Sequence, residues 1–303
     1  MSVFHLRHQG AVIGSLLRLL TSRYHGGALP EAPGPVFEQR IGPIPEGLVE
    51  AYQEFCAGDP GCTNLPPHLF PQWSFPLMVQ VLRGIDLPLK KVLNQGCSIT
   101  VNAPLARQEP LNVSSQLTRL EADAYRARLT QRVVTGPRTP SSSPAAGTEH
   151  LVAEVHSYFP LKRRPKGERK ASGERQSPEG LQEIGRFKGP AGSGFRYACL
   201  TGDLNPIHWL RPAAKAAGFR APILHGFATM ALAYECLERE TNQSLQRIDV
   251  RFTHPFVMPG EARVLLNPAG AVHVLDGEDR LLMVGDVAFR PASGDSAAAV
   301  EQG

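Results

Sequence analysis

From Phe227 to Leu237 the apolar residues Phe227, Met230, Ala231, Tyr234 and Leu237 fall at helical period, which predicts a long helix with an apolar face. Ahead of it, "FRYACLTGDLNP" (195–206) reads as a short helix ending at its Gly-Asp, because Pro206 forbids continuation. Behind it the period changes. "RIDVRFTHP", "EARVLLNPAG" and "AVHVLDGEDRLLMVGDVAFRP" read as strands, and "DGEDR" splits the last into a hairpin. Helices followed by several antiparallel strands predict an α+β fold and not the βαβ alternation of a nucleotide-binding sheet.

The same order occurs once earlier. "AYQEFCAGDPGCTN" (51–64) lies on "FRYACLTGDLNPIH" (195–208), with Gly58-Asp59 on Gly202-Asp203 and Asn64 on His208. "PHLFPQWSFPLMVQVL" (67–82) then matches "PILHGFATMALAYECL" (222–237), which sets Phe70-Pro71 against His225-Gly226. Further on, Pro104 falls on Pro255. Three matches in one order imply duplication of a single unit. The predicted division is an N-terminal segment (1–29), a first unit (30–161), a charged linker (162–180), a second unit (181–295) and a tail (296–303). Residues 135–150, rich in Pro, Ser, Gly and Ala, read as a long loop.

Composition adds limits. A net charge of +4 over 303 residues is too small to argue for nucleic acid, and much of the excess lies in 161–170, "LKRRPKGERK". Five scattered cysteines offer neither CxxC pairs nor zinc-ligand spacing, so no metal is expected. There is no GxGxxG or Walker-type loop, and no cofactor is expected. "AVIGSLLRLL", interrupted by Arg18, is too short to span a bilayer. With no secretory h-region, the expected location is the cytoplasm. Residues 1–30 carry Arg7, Arg18 and Arg23 and no acid before Glu31. They suit a surface-lying amphipathic helix, a targeting segment, or a helix packed on its own domain.

The candidate chemistry is in the second unit. Asp203 and His208 are five apart, too far round a helix to share a face, but a turning chain can aim both at one water. Asn205 is placed to fix that loop or to hydrogen-bond one of the pair. The same residues also suit a plain polar turn. Gly226 opens the long helix, so its N–H is unpaired within it and suited to an oxygen that gains negative charge. Its lack of a side chain admits a ligand close to the backbone. His225, just before it, is either a structural residue or part of the substrate site.

"YACLTGDLNPIH", followed by five residues and Ala214, then by "APILHG", resembles the hydratase motif of the MaoC-like family. These are R-specific enoyl-CoA hydratases and 3-hydroxyacyl-thioester dehydratases. The resemblance covers about residues 185–295, and the first half resembles the degenerate repeat of double hot-dog members. It implies a double hot-dog fold and a hydro-lyase interconverting (R)-3-hydroxyacyl and trans-2-enoyl thioesters, carried on coenzyme A or acyl carrier protein. Asp203 and His208 are then the catalytic pair, the Gly226 N–H holds the thioester carbonyl, and Asn205 and His225 support the substrate site. The first unit, without His or a helix-opening N–H, is expected to be inactive and to widen the groove for the acyl chain. A monomer acting as a pseudo-dimer, or a homodimer, fits such a chain. The alternatives are a thioesterase and a non-catalytic acyl-binding subunit. One departure is Leu210, where many members carry an acid.

Overall fold

A computed structural model describes residues 2–21, 23–137, 149–162 and 178–291. A 3-10 helix (Ser2–His8) and helix α1 (Gly10–Thr21) lead into strand β1 (Val36–Ile41), α2 (Glu46–Cys56), a 3-10 helix (Pro67–Leu69) and α3 (Phe70–Val81). Strands β2 (Leu93–Val101), β3 (Leu111–Ala122), β4 (Arg126–Pro137) and β5 (Leu151–Pro160) complete the first half. The second half runs β6 (Gln182–Gly189), α4 (Ser193–Thr201), a 3-10 helix (Pro206–His208), α5 (Arg211–Ala216) and α6 (Gly226–Thr241). It ends with β7 (Leu245–Phe252), β8 (Gly260–Leu266), β9 (Ala271–Asp276) and β10 (Leu281–Phe289). Most of the expected loop at 135–150, most of the charged linker and the tail lie outside the described residues.

All ten strands form one sheet in the order β1-β3-β4-β5-β2-β7-β10-β9-β8-β6, antiparallel throughout. Read outward from the β2–β7 seam, the two halves have the same topology: β2-β5-β4-β3-β1 on one side, β7-β10-β9-β8-β6 on the other. At the seam Ile99 faces Ile248 and Cys97 faces Val250, all four fully buried. α6 is buried on nearly every side, with Ala228, Met230, Ala231, Ala233 and Cys236 at zero exposure. One face meets β6, β7 and β8, and the rest meets α2 and the turn before α3. Its small residues are what let that many neighbours approach. Phe70, Trp73, Leu77 and Met78 of α3 are part of the same core.

The register of the duplication differs from the one suggested by identical residues. Ala57 takes the left-handed position that ends α2, as Gly202 does for α4, each with its N–H on the carbonyl four residues back. Gly58, not Asp59, therefore stands where Asp203 stands, and Tyr52 matches Tyr197. Further on, Leu65 N–H donates to Leu105 O as Leu224 N–H donates to Phe256 O, both at 2.8 Å. Asn64 and Ile223 make the corresponding isolated bridges. Asn64 is thus the counterpart of Ile223, and Pro66-Pro67 those of His225-Gly226. The first unit has no counterpart of the His208 loop at all. Asp59 instead closes its own exposed turn, accepting from the Gly61 N–H at 2.8 Å.

A cross-unit network occupies the space beside Gly58. The Glu235 carboxylate of α6 sits where a Gly58 side chain would be, 2.8 Å from an ideal Cβ, and bonds His68 Nε2 at 2.9 Å. The other ring nitrogen of His68 meets the Tyr52 hydroxyl at 3.0 Å. His68 is fully buried, so removing its partner leaves a polar group unpaired inside the protein. Glu235→Ala should lower stability by about 2 kcal/mol or more, read as a fall in the urea midpoint at unchanged slope. Glu235→Gln, which keeps one oxygen acceptor, should recover part of it.

Candidate functional site

The second-unit site is built on the end of α4. Gly202 takes φ +84°, a conformation that costs a residue with a Cβ, and turns the chain out of the helix at Asp203. The Asp203 carboxylate accepts from Asn205 N–H at 3.3 Å, and Asn205 Oδ1 in turn caps the 3-10 helix by accepting from Ile207 N–H at 3.3 Å. Asn205 is exposed and spends its contacts on the loop. The 3-10 helix carries His208 back over α4, where any side chain at Gly194 would collide with the His208 carbonyl oxygen.

His208 is buried, and its Nδ1 lies 2.8 Å from the Ile223 carbonyl. A carbonyl can only accept, so Nδ1 bears the proton and Nε2 keeps its lone pair. His225, the residue before α6, lies 3.1 Å by Nε2 from the Asp203 carbonyl and 3.8 Å from its carboxylate. By the same reasoning Nε2 bears its proton. The two imidazoles stack, with centroids 3.6 Å apart, and Tyr197 lies on His225 at 4.8 Å. One ligand atom each of Asp203, His208 and His225 lie within 4.8 Å of one another. Burial holds the His208 pKa below its ordinary value, against the opposing pull of the Asp203 charge and the Ile223 bond. Burial, then the neighbouring His208, hold that of His225 at about 3. Both rings are neutral at physiological pH, and the Asp203 side chain, 41% exposed, is the open partner.

Gly226 is the first residue of α6, so its N–H has no partner within the helix. Its missing side chain is already used: the Phe252 ring lies where a Cβ would be, at 2.8 Å. The glycine is thus required by protein packing whatever approaches its N–H.

Residues 193–272 match the family model described as MaoC like domain. The second unit carries a MaoC-like domain. A 67-residue stretch is 40% identical to the 3-hydroxyacyl-thioester dehydratase X of Mycobacterium tuberculosis, covering 22% of this chain and 24% of that protein. The structure resembles that of HtdX from Mycobacterium tuberculosis over 84% of this chain and all of the other, with a TM-score of 0.67 at 19% identity. It also resembles a Mycobacterium tuberculosis protein described as having a double hotdog fold, over 87% of this chain and 98% of that one (TM-score 0.51, 14% identity). The fold is an α+β double hot-dog.

Within the MaoC-like domain, Asp203, His208 and His225 lie together, Gly226 follows His225 at the start of α6, and Asn205 is exposed on the loop. His225 is buried, with its Nε2 on the Asp203 carbonyl and its ring stacked on that of His208. Asp203, His208 and His225 also form, among the described residues, a group of metal-type ligands. Two of their four ring nitrogens are held by backbone carbonyls, His208 Nδ1 by Ile223 and His225 Nε2 by Asp203. Tyr197 and Gly194 escaped the sequence reading. Tyr197 lies inside the motif without any signal of its own, and nothing in the sequence marks Gly194 as the seat of the His208 turn.

The His225 pKa makes stability depend on acid. Its value is about 3 in the fold against 6.5 ordinarily, so between those values the unfolded chain binds the proton and the folded one does not. Stability should fall as pH drops through that window, by ~4 kcal/mol at the acid end. His225→Gln can still donate a hydrogen bond but does not titrate. It should flatten the fall, measured as urea midpoints across pH.

Proposed function

We propose that the MaoC-like domain interconverts trans-2-enoyl and (R)-3-hydroxyacyl thioesters by adding and removing water. The observation that carries this reading is that Asp203 and His208 bring ligand atoms within 4.8 Å of one another, with His208 Nδ1 on a carbonyl and Nε2 left to accept, beside the free N–H that opens α6. The similarity to a protein named as a 3-hydroxyacyl-thioester dehydratase supports it. Asp203 and His208 hold one water between them. In hydration, its oxygen bonds to C3 while the pair takes one of its protons, the C2–C3 double bond becomes a single bond, and the pair gives a proton to C2. In dehydration the α-proton leaves C2 to the pair, and the C3 hydroxyl departs with a proton as water. No proton is gained or lost overall. Negative charge built on the thioester oxygen during either direction meets the Gly226 N–H at the positive end of α6. The acyl carrier is coenzyme A or acyl carrier protein, and the first unit acts as scaffold, since Gly58 and Pro67 stand where the acid and the N–H would be.

The test is hydration of crotonyl-CoA, followed as loss of the conjugated enoyl absorbance, with product stereochemistry determined. Asp203→Asn and His208→Ala should each lower kcat by about two to four orders of magnitude while the fold persists. The depressed His208 pKa keeps the ring neutral below the ordinary histidine range. Hydration should therefore hold as pH drops past about 6.5 and fail only when His208 protonates. Thiol release without hydration would mean a thioesterase, and full activity in either variant would remove the assignment.

A further inference from the structure

We propose that the N-terminal arm belongs to the reaction machinery, with Gln9 a positioning residue that fixes the turn carrying Asp203. This rests on the reading of Asp203 as a catalytic group given above. Gln9 joins the first 3-10 helix to α1 and is fully buried, an unusual place for a glutamine. Its backbone is held on both sides, by its N–H on Leu6 O at 3.0 Å and its carbonyl under the Ile13 N–H at 2.8 Å. Its side chain crosses 191 residues of sequence to donate from Nε2 to the Leu200 carbonyl at 2.7 Å.

Leu200 is in the last turn of α4, where carbonyls have no partner within the helix. Gln9 therefore caps α4 from outside, at the turn before Asp203. The same arm closes over Gly202. An ideal Cβ there would lie 2.7 Å from Val12 Cγ1 and 3.1 Å from Gln9 Oε1. The turn into Asp203 is thus gripped by Gln9 and Val12 on one side and by His225 on the Asp203 carbonyl on the other. With the backbone held at both ends, the half-exposed carboxylate is carried beside His208 on a braced turn. An acid–base group displaced by a fraction of an ångström loses much of its effect.

Full-length Gln9→Met keeps the side-chain length and loses the donor. Its kcat for enoyl hydration should fall by about tenfold, with KM changed by less than about twofold. Gln9→Leu, which also lacks the donor, should behave like Gln9→Met. Val12→Ala should cause a smaller loss of the same kind. In the Asp203→Asn background Gln9→Met should lower kcat no further, since the grip acts only through Asp203. Amide exchange should quicken over residues 200–208 while the β2–β7 seam is unchanged. Parental kcat in Gln9→Met, or an equal extra loss in the Asp203→Asn background, would overturn the proposal. Fully active Asp203→Asn would instead overturn the functional reading, and faster exchange at 200–208 would still report the clamp.

Discussion

Ile99 meets Ile248 where β2 lies antiparallel to β7, and that short seam makes ten strands one sheet. Without it each half would be a five-stranded sheet with an unpaired inner edge, a standing invitation to association. With it, the two inner edges satisfy one another and only β1 and β6 remain at the rims. The seam also decides where the helices meet. α2 packs on α4 and on α6, and the turn before α3 packs on α6, so each unit's helices form part of the other's enclosure. This is why Glu235, on the second unit's long helix, can satisfy His68 of the first.

The shared topology separates scaffold from chemistry. Both units keep the left-handed helix end, the buried tyrosine beside it and the bridge that precedes the long helix. Only the second keeps the stretch between Asp203 and Ile223, which brings His208 across α4. The first unit closes the same gap directly and fills the space beside Gly58 with Glu235. A side chain there would have to displace that carboxylate from His68. In the first unit, the space beside the residue that matches Asp203 is thus given to a cross-unit pair.

Much of this was legible in the residues, and what was not failed for identifiable reasons. The change from helical to alternating period located the long helix and the strands behind it, and Gly202 and Pro206 marked the end of α4. The duplication was legible in its order but not in its register. The shared Gly-Asp drew the two halves together one residue out, whereas backbone geometry places Ala57, with no glycine to advertise it, on Gly202. The arm of residues 2–21 allowed three readings, because a contact from Gln9 to Leu200 depends on a fold already formed. α1 rests on α3 and the preceding 3-10 helix on α4. Among the described residues no helix is long and apolar enough to cross a membrane.

The electrostatics of the site follow from where His225 sits. It directly precedes α6, whose first N–H groups present the positive end of the helix dipole. A proton there would face that dipole, a stacked imidazole at 3.6 Å and the loss of its own hydration. His225 is thereby kept neutral, and because a carbonyl can only accept, its one proton sits on Nε2 toward the Asp203 carbonyl. A charged His225 would oppose a charged His208, so the stack favours one imidazole that stays neutral and another whose outward nitrogen can accept a proton. The helix end that enforces this also offers the Gly226 N–H. A group gaining negative charge is stabilised there while a proton on the neighbouring ring is not, a division of labour that the proposed addition of water to a thioester would use.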